Sequence, residues 1–351
     1  MKKAMAAAAA VAAAGAAAVV PGAAHAGTTP GWTRIYQGGS TGFVSSIDPI
    51  SASNIWEATD LTSGGTTTYK PDVLRYNGST WSTVSIPGAA GISTTTVQST
   101  WRNNVWVFGV FNNKQGITSS AAFRYNGTSW TRIWVPAETY LQGTVVLGPW
   151  NVWAFGGSGS MAGDIFHWTG SGWKAYDTSY GFNFMPQAIS ASSASNVWIV
   201  GLTGSSSSKM VAYHWNGSHW YKSAAPEPAT AGSPGVAALS ASNIWLGGDT
   251  GTTAYAYHYN GSTWTKVTAP ATVYADSSDL TPDRRGGVWW GPLADLDGAT
   301  WTSTGSVSPS YSAASFDSVA SIPGTSSAVM GAGVENDGST VEHPTIYRLN
   351  F

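Results

Sequence analysis

The chain has 351 residues, contains no cysteine, and carries 16 Lys and Arg against 18 Asp and Glu, a net charge of −2. This balance argues against nucleic acid or an anionic membrane as the main partner, because binding either one requires clustered Lys and Arg. The 19 Trp, 15 Tyr and 10 Phe exclude a disordered chain and predict a packed core that is stable without disulfides.

The N-terminus predicts a secretory signal peptide over residues 1–26. A short cationic start precedes an apolar run over residues 4–20, and Ala24-His25-Ala26 fits a small-residue cleavage site. The run is short for a membrane span, so a retained anchor helix is the less favoured alternative. We expect a secreted, extracellular chain that forms a single domain over residues 27–351.

A repeat of the type Ser-x-Asn-Val/Ile-Trp recurs along this expected domain. Six copies place a Trp at the key position, and a degenerate seventh copy, SAVMGAGV, places Met330 there. The six positions are Trp56, Trp106, Trp153, Trp198, Trp245 and Trp289. Successive copies lie 41 to 50 residues apart. Such a period is typical of propeller blades, each with four short strands.

A second repeat, aromatic-Asn-Gly-x-x-Trp with close variants, alternates with the first. Its tryptophans are Trp81, Trp130, Trp173, Trp220, Trp264 and Trp301. An Asn-Gly pair between alternating apolar runs predicts a tight β-hairpin, because both central residues of that turn need positive φ. Each unit should therefore contain strands A to D, with the Val-Trp run in strand B and the hairpin between strands C and D.

The two chain ends supply the missing pieces of one unit. Residues 31–35 match a D strand, and residues 345–351 match a C strand that stops where a hairpin would begin. We therefore predict an all-β, seven-bladed β-propeller whose last blade is completed by the N-terminal strand. Such closure removes exposed strand edges, which otherwise favour aggregation.

The repeats resemble those of secreted bacterial β-propellers with Val-Trp-Ala-Val-Gly type strands. The Gly-x-x-Trp hairpins are also similar to the Asp-box turns of sialidases and related propellers. Five of the six hairpins lack the Asp, and Asp295 and Asp297 in the sixth unit come nearest to that pattern. The resemblance implies the propeller fold and does not by itself imply an activity.

Most His and Arg residues fall in repeat columns, which predicts structural roles. One column contains His167, His214 and His258 in three units and Arg75, Arg124 and Arg348 in three others. Arg34 and Arg132 share a D-strand column with two lysines. Outside the repeat columns and tight turns, only the adjacent Arg284 and Arg285 remain, so a sialidase-type arginine triad is not predicted. We predict no metal and no cofactor.

The long B–C and D–A connections should emerge on one face and carry most of the sequence variation, so we expect function there. Aromatic side chains beside carboxylates suit carbohydrate recognition. The candidate ligand-binding residues are Asp60, Tyr69, Glu138, Tyr140, Tyr180, Phe182, Asp249, Tyr274 and Glu335. We predict a non-catalytic, monomeric binding module for an extracellular glycan or protein.

The alternative is a polysaccharide-active hydrolase or lyase with loop carboxylates such as Asp60, Asp249 and Glu335 around a central pocket. It would require paired carboxylates separated by about 5 Å or about 6.5–9.5 Å. Glu57 interrupts an otherwise apolar column, and we expect a buried ion pair there rather than an acid catalyst. Residues 335–338 could supply oxygen ligands to calcium, although a plain turn is the preferred interpretation.

Overall fold

The computed structural model describes residues 31–38, 41–62, 69–112, 118–157, 163–176, 182–203, 208–229, 232, 234–250, 253–269, 280–291, 294–297, 300–303, 314–325, 327–336 and 342–350. Within these ranges the chain forms 28 β-strands and no helix. A membrane-spanning helix is accordingly not found in the described part of the chain. The predicted signal peptide lies outside the described residues.

Six sheets are each built from four consecutive strands. The first strand, β1 (Gly31–Gln37), belongs to a sheet described below. Sheet 1 contains β2 (Thr41–Ser51), β3 (Asn54–Thr62), β4 (Tyr69–Tyr76) and β5 (Trp81–Ser85). Sheet 2 contains β6 (Ser93–Trp101), β7 (Asn104–Asn112), β8 (Thr118–Tyr125) and β9 (Trp130–Ile133). Sheet 3 contains β10 (Tyr140–Gly148), β11 (Asn151–Gly157), β12 (Asp164–Trp168) and β13 (Trp173–Tyr176).

The next three sheets repeat this order. Sheet 4 contains β14 (Met185–Ser193), β15 (Asn196–Thr203), β16 (Lys209–Trp215) and β17 (Trp220–Lys222). Sheet 5 contains β18 (Gly235–Ser240), β19 (Asn243–Asp249), β20 (Ala254–Tyr259) and β21 (Trp264–Val267). Sheet 6 contains β22 (Leu280–Pro282), β23 (Val288–Trp290), β24 (Ala294–Asp297) and β25 (Thr300–Ser303). The strands of each sheet, in chain order, are strands A to D of the predicted unit.

The remaining sheet, called the closing sheet, joins the two ends of the chain. It contains β26 (Ala314–Ser321), β27 (Ala328–Asn336), β28 (Glu342–Asn350) and β1 (Gly31–Gln37). β1 runs antiparallel to β28, with Trp32 opposite Leu349 and Arg34 opposite Tyr347. The predicted completion of the last unit by the N-terminal strand is confirmed. The fold is an all-β propeller. The repeat predicted seven blades. The structure has six sheets built from consecutive strands and, in addition, the closing sheet built from both ends of the chain.

The predicted hairpin between strands C and D is present in sheet 1, where β4 and β5 pair from Tyr76 and Trp81 onwards. The expectation that both Asn and Gly have positive φ is wrong, because the turn has four residues and, of these, Gly78 alone has a positive φ, at 101°. The Asn77 side-chain oxygen accepts hydrogen bonds from the backbone N–H groups of Ser79 and Thr80, at 3.0 and 2.9 Å. A Cβ on Gly78 would lie 2.9 Å from the Cβ of Ser53, so the hairpin packs directly on the A–B turn.

The Asn of the first repeat is a hydrogen-bond acceptor shared by strands B and C. Asn104 Oδ1 accepts from Trp106 Nε1 at 3.1 Å and from Arg124 Nε at 2.9 Å. Asn196 Oδ1 makes the same two bonds with Trp198 Nε1 at 2.9 Å and His214 Nε2 at 2.8 Å. An amide oxygen only accepts, so the His ring carries its proton on Nε2. The structural role predicted for the His and Arg column is confirmed in these sheets.

Tryptophans form the contacts between neighbouring sheets. At four interfaces the hairpin Trp of one sheet packs edge-on against the strand-B Trp of the preceding sheet, a favoured aromatic geometry. The pairs are Trp130 with Trp56, Trp220 with Trp153, Trp264 with Trp198 and Trp301 with Trp245, with ring centroids 6.0, 5.3, 5.7 and 6.4 Å apart. Both predicted Trp columns are therefore structural at these interfaces.

The closing sheet departs from this pattern by one residue. Arg348 pairs with Val329, as Arg75 pairs with Trp56 in sheet 1. The prediction that Met330 occupies the strand-B Trp position is therefore wrong, and Val329 occupies it. Six residues separate the end of β26 from the start of β27, against two between β2 and β3, and the longer spacing accompanies a shift of β27 by one residue against the sequence motif.

Glu57 is buried without the ion pair predicted for it. Its side chain is fully buried in β3, and its Oε1 accepts a hydrogen bond from Thr59 Oγ1 at 2.9 Å. Its Oε2 has no hydrogen-bond partner, and no Lys, Arg or His of the described chain forms an ion pair with it. Burial raises the pKa of Glu57 to about 8, so the carboxyl group is protonated at neutral pH.

Candidate ligand-binding site

The two ends of the sheets differ in the length of their connections, as the sequence predicted. Two residues join β2 to β3 and β6 to β7 at the end called the tight-turn end. At the opposite end, called the long-connection end, residues 134–139 join β9 to β10 and residues 223–234 join β17 to β18. Long connections on a rigid scaffold are where binding sites are usually built.

A cavity of about 320 Å³ lies at the long-connection end of sheet 2. We call it the sheet 2 cavity. Its walls are Phe111 of β7, residues 119–121 of β8, Arg132 and Ile133 of β9, and residues 134–138 of the connection to β10. Three strands and one connection of a single sheet therefore build it.

Trp134 is the most exposed aromatic side chain of this cavity, with 74% of its surface accessible to solvent. The Arg132 guanidinium carbon lies 4.5 Å from the centre of the Trp134 ring and 5.8 Å from the centres of the Phe111 and Phe123 rings. Such cation–π contacts are favourable. The Trp134 indole thus packs against the Arg132 guanidinium on one side and leaves a large aromatic surface open to solvent.

The connection that carries Glu138 is pinned to strand β8. The backbone N–H of Ser120 donates to the Thr139 carbonyl at 2.8 Å, and the Ser120 hydroxyl accepts from the Leu141 N–H at 2.8 Å. Glu138 is exposed and has a φ of 57°, a left-handed conformation that non-glycine residues rarely adopt. Such strain persists where the surroundings hold it and is common at ligand sites. The Glu138 carboxylate is therefore presented at the rim by a fixed backbone.

The cavity combines an aromatic face, a guanidinium group, a carboxylate and the hydroxyls of Ser119 and Ser120. Few polar groups converging on an apolar wall are typical of a ligand site. Within the described ranges, no cluster of three or more His, Cys, Asp or Glu side chains that could hold a metal ion is found.

A second cavity is lined by the A strands of sheets 2 to 6, and its lining residues differ from those of the sheet 2 cavity. It has a volume of about 240 Å³ and is lined mainly by apolar, Thr and Gln side chains of strands β6, β10, β14, β18 and β22, without a carboxylate among its described lining residues. Gln98 bridges two of these strands, donating to the Thr144 carbonyl at 2.8 Å and accepting from the Val146 N–H at 2.9 Å. The amide groups here connect neighbouring sheets.

The structure brings only some of the sequence-predicted site residues to the sheet 2 cavity. Glu138 lines it, and Tyr140 is half-buried two residues further on, at the start of β10. The backbones of Asp60, Tyr69 and Glu335 lie in β3, β4 and β27, towards the long-connection end of other sheets. Tyr180 and Tyr274 lie outside the described residues.

Two predicted site residues are buried, and the expectation that they contact a ligand at the surface is wrong. Phe182 is 3% exposed, because it belongs to the apolar cluster between sheets 3 and 4 and its ring packs edge-on against Tyr213 and Trp220. Asp249 is 4% exposed, because it is the last residue of β19 and pairs with Ala254 inside sheet 5. Both side chains belong to the packed interior.

Arg132 and Trp134 are the site residues that the sequence prediction did not name. Arg132 shares a D-strand column with Arg34 and two lysines, and a structural role was therefore predicted for it. The available signal was Trp134, a tryptophan outside both repeat columns that follows Arg132 by two residues. In an extended segment residues two apart point to the same side, so this spacing places an arginine beside the unusual tryptophan.

Comparison with known proteins supports the fold. No protein-family model matches the chain, and no curated protein sequence matches it. A structure of YCF48 bound to D1 peptide is similar with a TM-score of 0.58 at 14% identity, covering 91% of this chain and 96% of that one. The β-propeller domain of the Trilobed protease from Pyrococcus furiosus has a TM-score of 0.55 at 9% identity, covering 87% and 95%.

A third similar structure is the fungal lectin from Aleuria aurantia, described as a six-bladed β-propeller with a fucose recognition mode. It has a TM-score of 0.46 at 16% identity and covers 70% of this chain and 88% of the lectin. At these identities the likeness to YCF48 and to the protease domain concerns the fold alone, and it supports the assignment of this chain as a β-propeller.

Proposed function

We propose that the protein is a secreted, non-catalytic binding module that takes an extracellular carbohydrate in the sheet 2 cavity. The observation that carries this proposal is the exposed Trp134 indole, packed against the Arg132 guanidinium beside the Glu138 carboxylate. An indole face packs against the C–H face of a sugar ring, while Arg donates to sugar hydroxyls and Glu accepts from them.

The size and rigidity of the cavity favour a small part of a glycan. Its volume of about 320 Å³ is at the low end of the range for ligand pockets, about 300–1,000 Å³. The Ser120 hydrogen bonds fix the connection before a ligand arrives, which lowers the entropy cost of binding. The cavity therefore suits one or two sugar rings at the end or side of a larger glycan.

Export through a signal peptide over residues 1–26 is part of the proposal. It rests on the cationic start, the apolar run and the Ala24-His25-Ala26 site in the sequence. Mass spectrometry of the protein from the culture medium should give a mature chain that begins near Gly27, and we expect it to be monomeric by light scattering. A chain retained in cells with residues 1–26 intact would contradict the export step.

A glycan array probed with the mature protein tests the ligand class, and calorimetry with a glycan from the array gives the affinity. Trp134→Ala should weaken binding about tenfold or more, which is about 1.4 kcal/mol. Trp101→Ala is the matched control, because Trp101 is also exposed, at 61%, but ends β6 at the tight-turn end. The control should bind like the parent, and an equal loss in both variants would contradict the site.

The same preparation separates binding from catalysis. Reducing-sugar release from a panel of plant and microbial polysaccharides should stay at the level of a buffer blank. Turnover that is abolished by substitution of one carboxylate would favour the hydrolase or lyase alternative. Binding of peptides with no binding of glycans would favour a protein partner at the same cavity.

A further inference from the structure

The interface between the closing sheet and sheet 1 lacks the Trp pair found at four other interfaces. Its hairpin residue is Trp81, but the strand-B position of the closing sheet holds Val329 instead of a tryptophan. Val329 and Trp81 belong to the same apolar cluster. The indole that a hairpin Trp usually packs against is therefore replaced by a much smaller side chain.

A cavity of about 510 Å³ lies at this interface, and we call it the seam cavity. Tyr36, Tyr76 and Trp81 supply aromatic surface, and Ser79 and Thr80 of the sheet 1 hairpin supply polar groups. The Trp81 ring lies 5.7 Å from the Tyr36 ring and 5.2 Å from the Tyr76 ring, between centroids. The hairpin places the seam cavity at the tight-turn end, away from the sheet 2 cavity.

Arg348 also lines the seam cavity, and it lacks the contacts that its counterparts make. In sheet 1, Arg75 donates from Nε to Asn54 Oδ1 at 3.2 Å, and its guanidinium carbon lies 5.0 Å from the centre of the Trp56 ring. The closing sheet has Ser327 and Val329 at the positions of Asn54 and Trp56. Arg348 Nε is buried and has no hydrogen-bond partner.

The seam cavity thus has aromatic walls and one guanidinium group, and no carboxylate is among its described lining residues. Because Arg348 Nε is buried, a ligand in the cavity would meet the terminal nitrogens of the guanidinium, which are donors only. A planar ring would pack on Trp81, and an anionic oxygen would accept from those terminal nitrogens. Both needs are met by one chemical group, an aromatic ring that carries a carboxylate.

We propose that the seam cavity binds an aromatic carboxylate, with its ring against Trp81 and its carboxylate accepting from Arg348. Two sources offer this chemistry: a free aryl acid, and the C-terminal aromatic residue of a peptide. The proposal does not depend on the sheet 2 cavity.

Calorimetry and ligand-detected NMR with the mature protein test the proposal, using indole-3-acetate, indole-3-acetamide and a peptide that ends in Trp. The acid should bind at least tenfold more tightly than its amide, because only the acid carries a carboxylate for Arg348. A peptide that binds only with a free C-terminal carboxylate would identify the peptide source. No binding of acid or peptide at millimolar concentration would overturn the proposal, as would equal affinity for acid and amide.

Two variants locate the binding. Trp81→Ala should remove the ring surface and weaken the binding of acid and amide alike, and Arg348→Gln should remove the preference for the acid while leaving the weaker binding of the amide. If Trp81→Ala does not fold, Arg348→Gln decides by itself, because an unchanged preference in that variant would overturn the proposal. Trp134→Ala should bind the acid like the parent, so failure of this site and failure of the sheet 2 cavity are distinguishable.

Discussion

The two ends of the propeller sheets use the same kinds of residue for different purposes. At the tight-turn end of sheet 2, Arg124 is held by Asn104 and belongs to a pattern that other sheets repeat. At the long-connection end of the same sheet, Arg132 lies against Trp134, a tryptophan outside the repeat. Repeated contacts maintain the fold, and departures from the repeat create candidate sites. The seam cavity, where Val329 replaces a repeated Trp, follows the same rule.

The first prediction concerns closure of the ring by β1. Deletion of residues 31–37 removes β1 and leaves the backbone of β28 unpaired along one edge. We expect the largest effect here, loss of cooperative unfolding and aggregation of the deleted protein, because an open edge templates intermolecular pairing. Thermal unfolding and size-exclusion chromatography measure this. A synthetic β1 peptide should partly restore the folded state, and a deleted protein that melts like the parent would contradict closure by β1.

The second prediction removes one shared acceptor of the repeat. Asn104→Ala leaves the buried Trp106 Nε1 and the half-buried Arg124 Nε without their acceptor. The free energy of unfolding should fall by about 2–4 kcal/mol, with about 1–3 kcal/mol from the buried Trp106 donor and about 1 kcal/mol from the half-buried Arg124 donor. Urea titration measures it. Asn103→Ala is the control: its side chain is exposed in the A–B turn, so its effect should stay within about 0.5 kcal/mol.

The third prediction concerns alkaline pH. The folded pKa of Glu57 is raised to about 8 from an ordinary value of 4.5, so Glu57 contributes stability below pH 4.5 that is lost as pH rises to 8. The loss is at most about 1.4 kcal/mol for each pH unit. Glu57→Gln removes this titration and should be more stable than the parent at pH 9. Denaturant titrations at pH 5 and 9 measure the difference, and parallel profiles for the two proteins would contradict it.

The fourth and smallest effect is at acid pH. Burial, with a smaller contribution from Lys174, lowers the pKa of His167 from 6.5 to about 4. Its stabilising contribution is therefore present above pH 6.5 and is lost as pH falls to 4. Because sheets 1 and 2 place an arginine at this position, His167→Arg should keep its melting temperature between pH 6.5 and 4.5 better than the parent does. An identical acid profile would show that His167 does not contribute to acid sensitivity.

The sequence predicted those features that depend on short local patterns. Gly78 and its equivalents need positive φ, so the C–D hairpins and the strands beside them could be placed from sequence. Met330 was misplaced because local pattern does not reveal the register of β27, which is shifted where the spacing between β26 and β27 is longer. Phe182 was misassigned because an irregular connection can fold either outwards or into the core. The prediction of an ion pair for Glu57 was wrong because the sequence does not show which side chains face Glu57 in the fold.

The candidate site was predicted only in part for a related reason. Glu138 stood out as a carboxylate in a long connection, whereas Arg132 was hidden by its membership in a repeat column. Whether such an arginine is structural depends on which aromatic ring packs beside it, and that contact forms only after the strand and the connection are folded. The departure that identifies the site is Trp134, two residues later.

We infer that the ligand binds where sheet 2 departs from the repeat at its long-connection end. A crystal structure of the mature protein with a glycan identified on the array is the decisive test of this claim. We predict a sugar ring packed on the Trp134 indole, with hydroxyl groups bonded to Arg132 and Glu138. A glycan bound at the tight-turn end, with the Trp134 surface unoccupied, would contradict the claim.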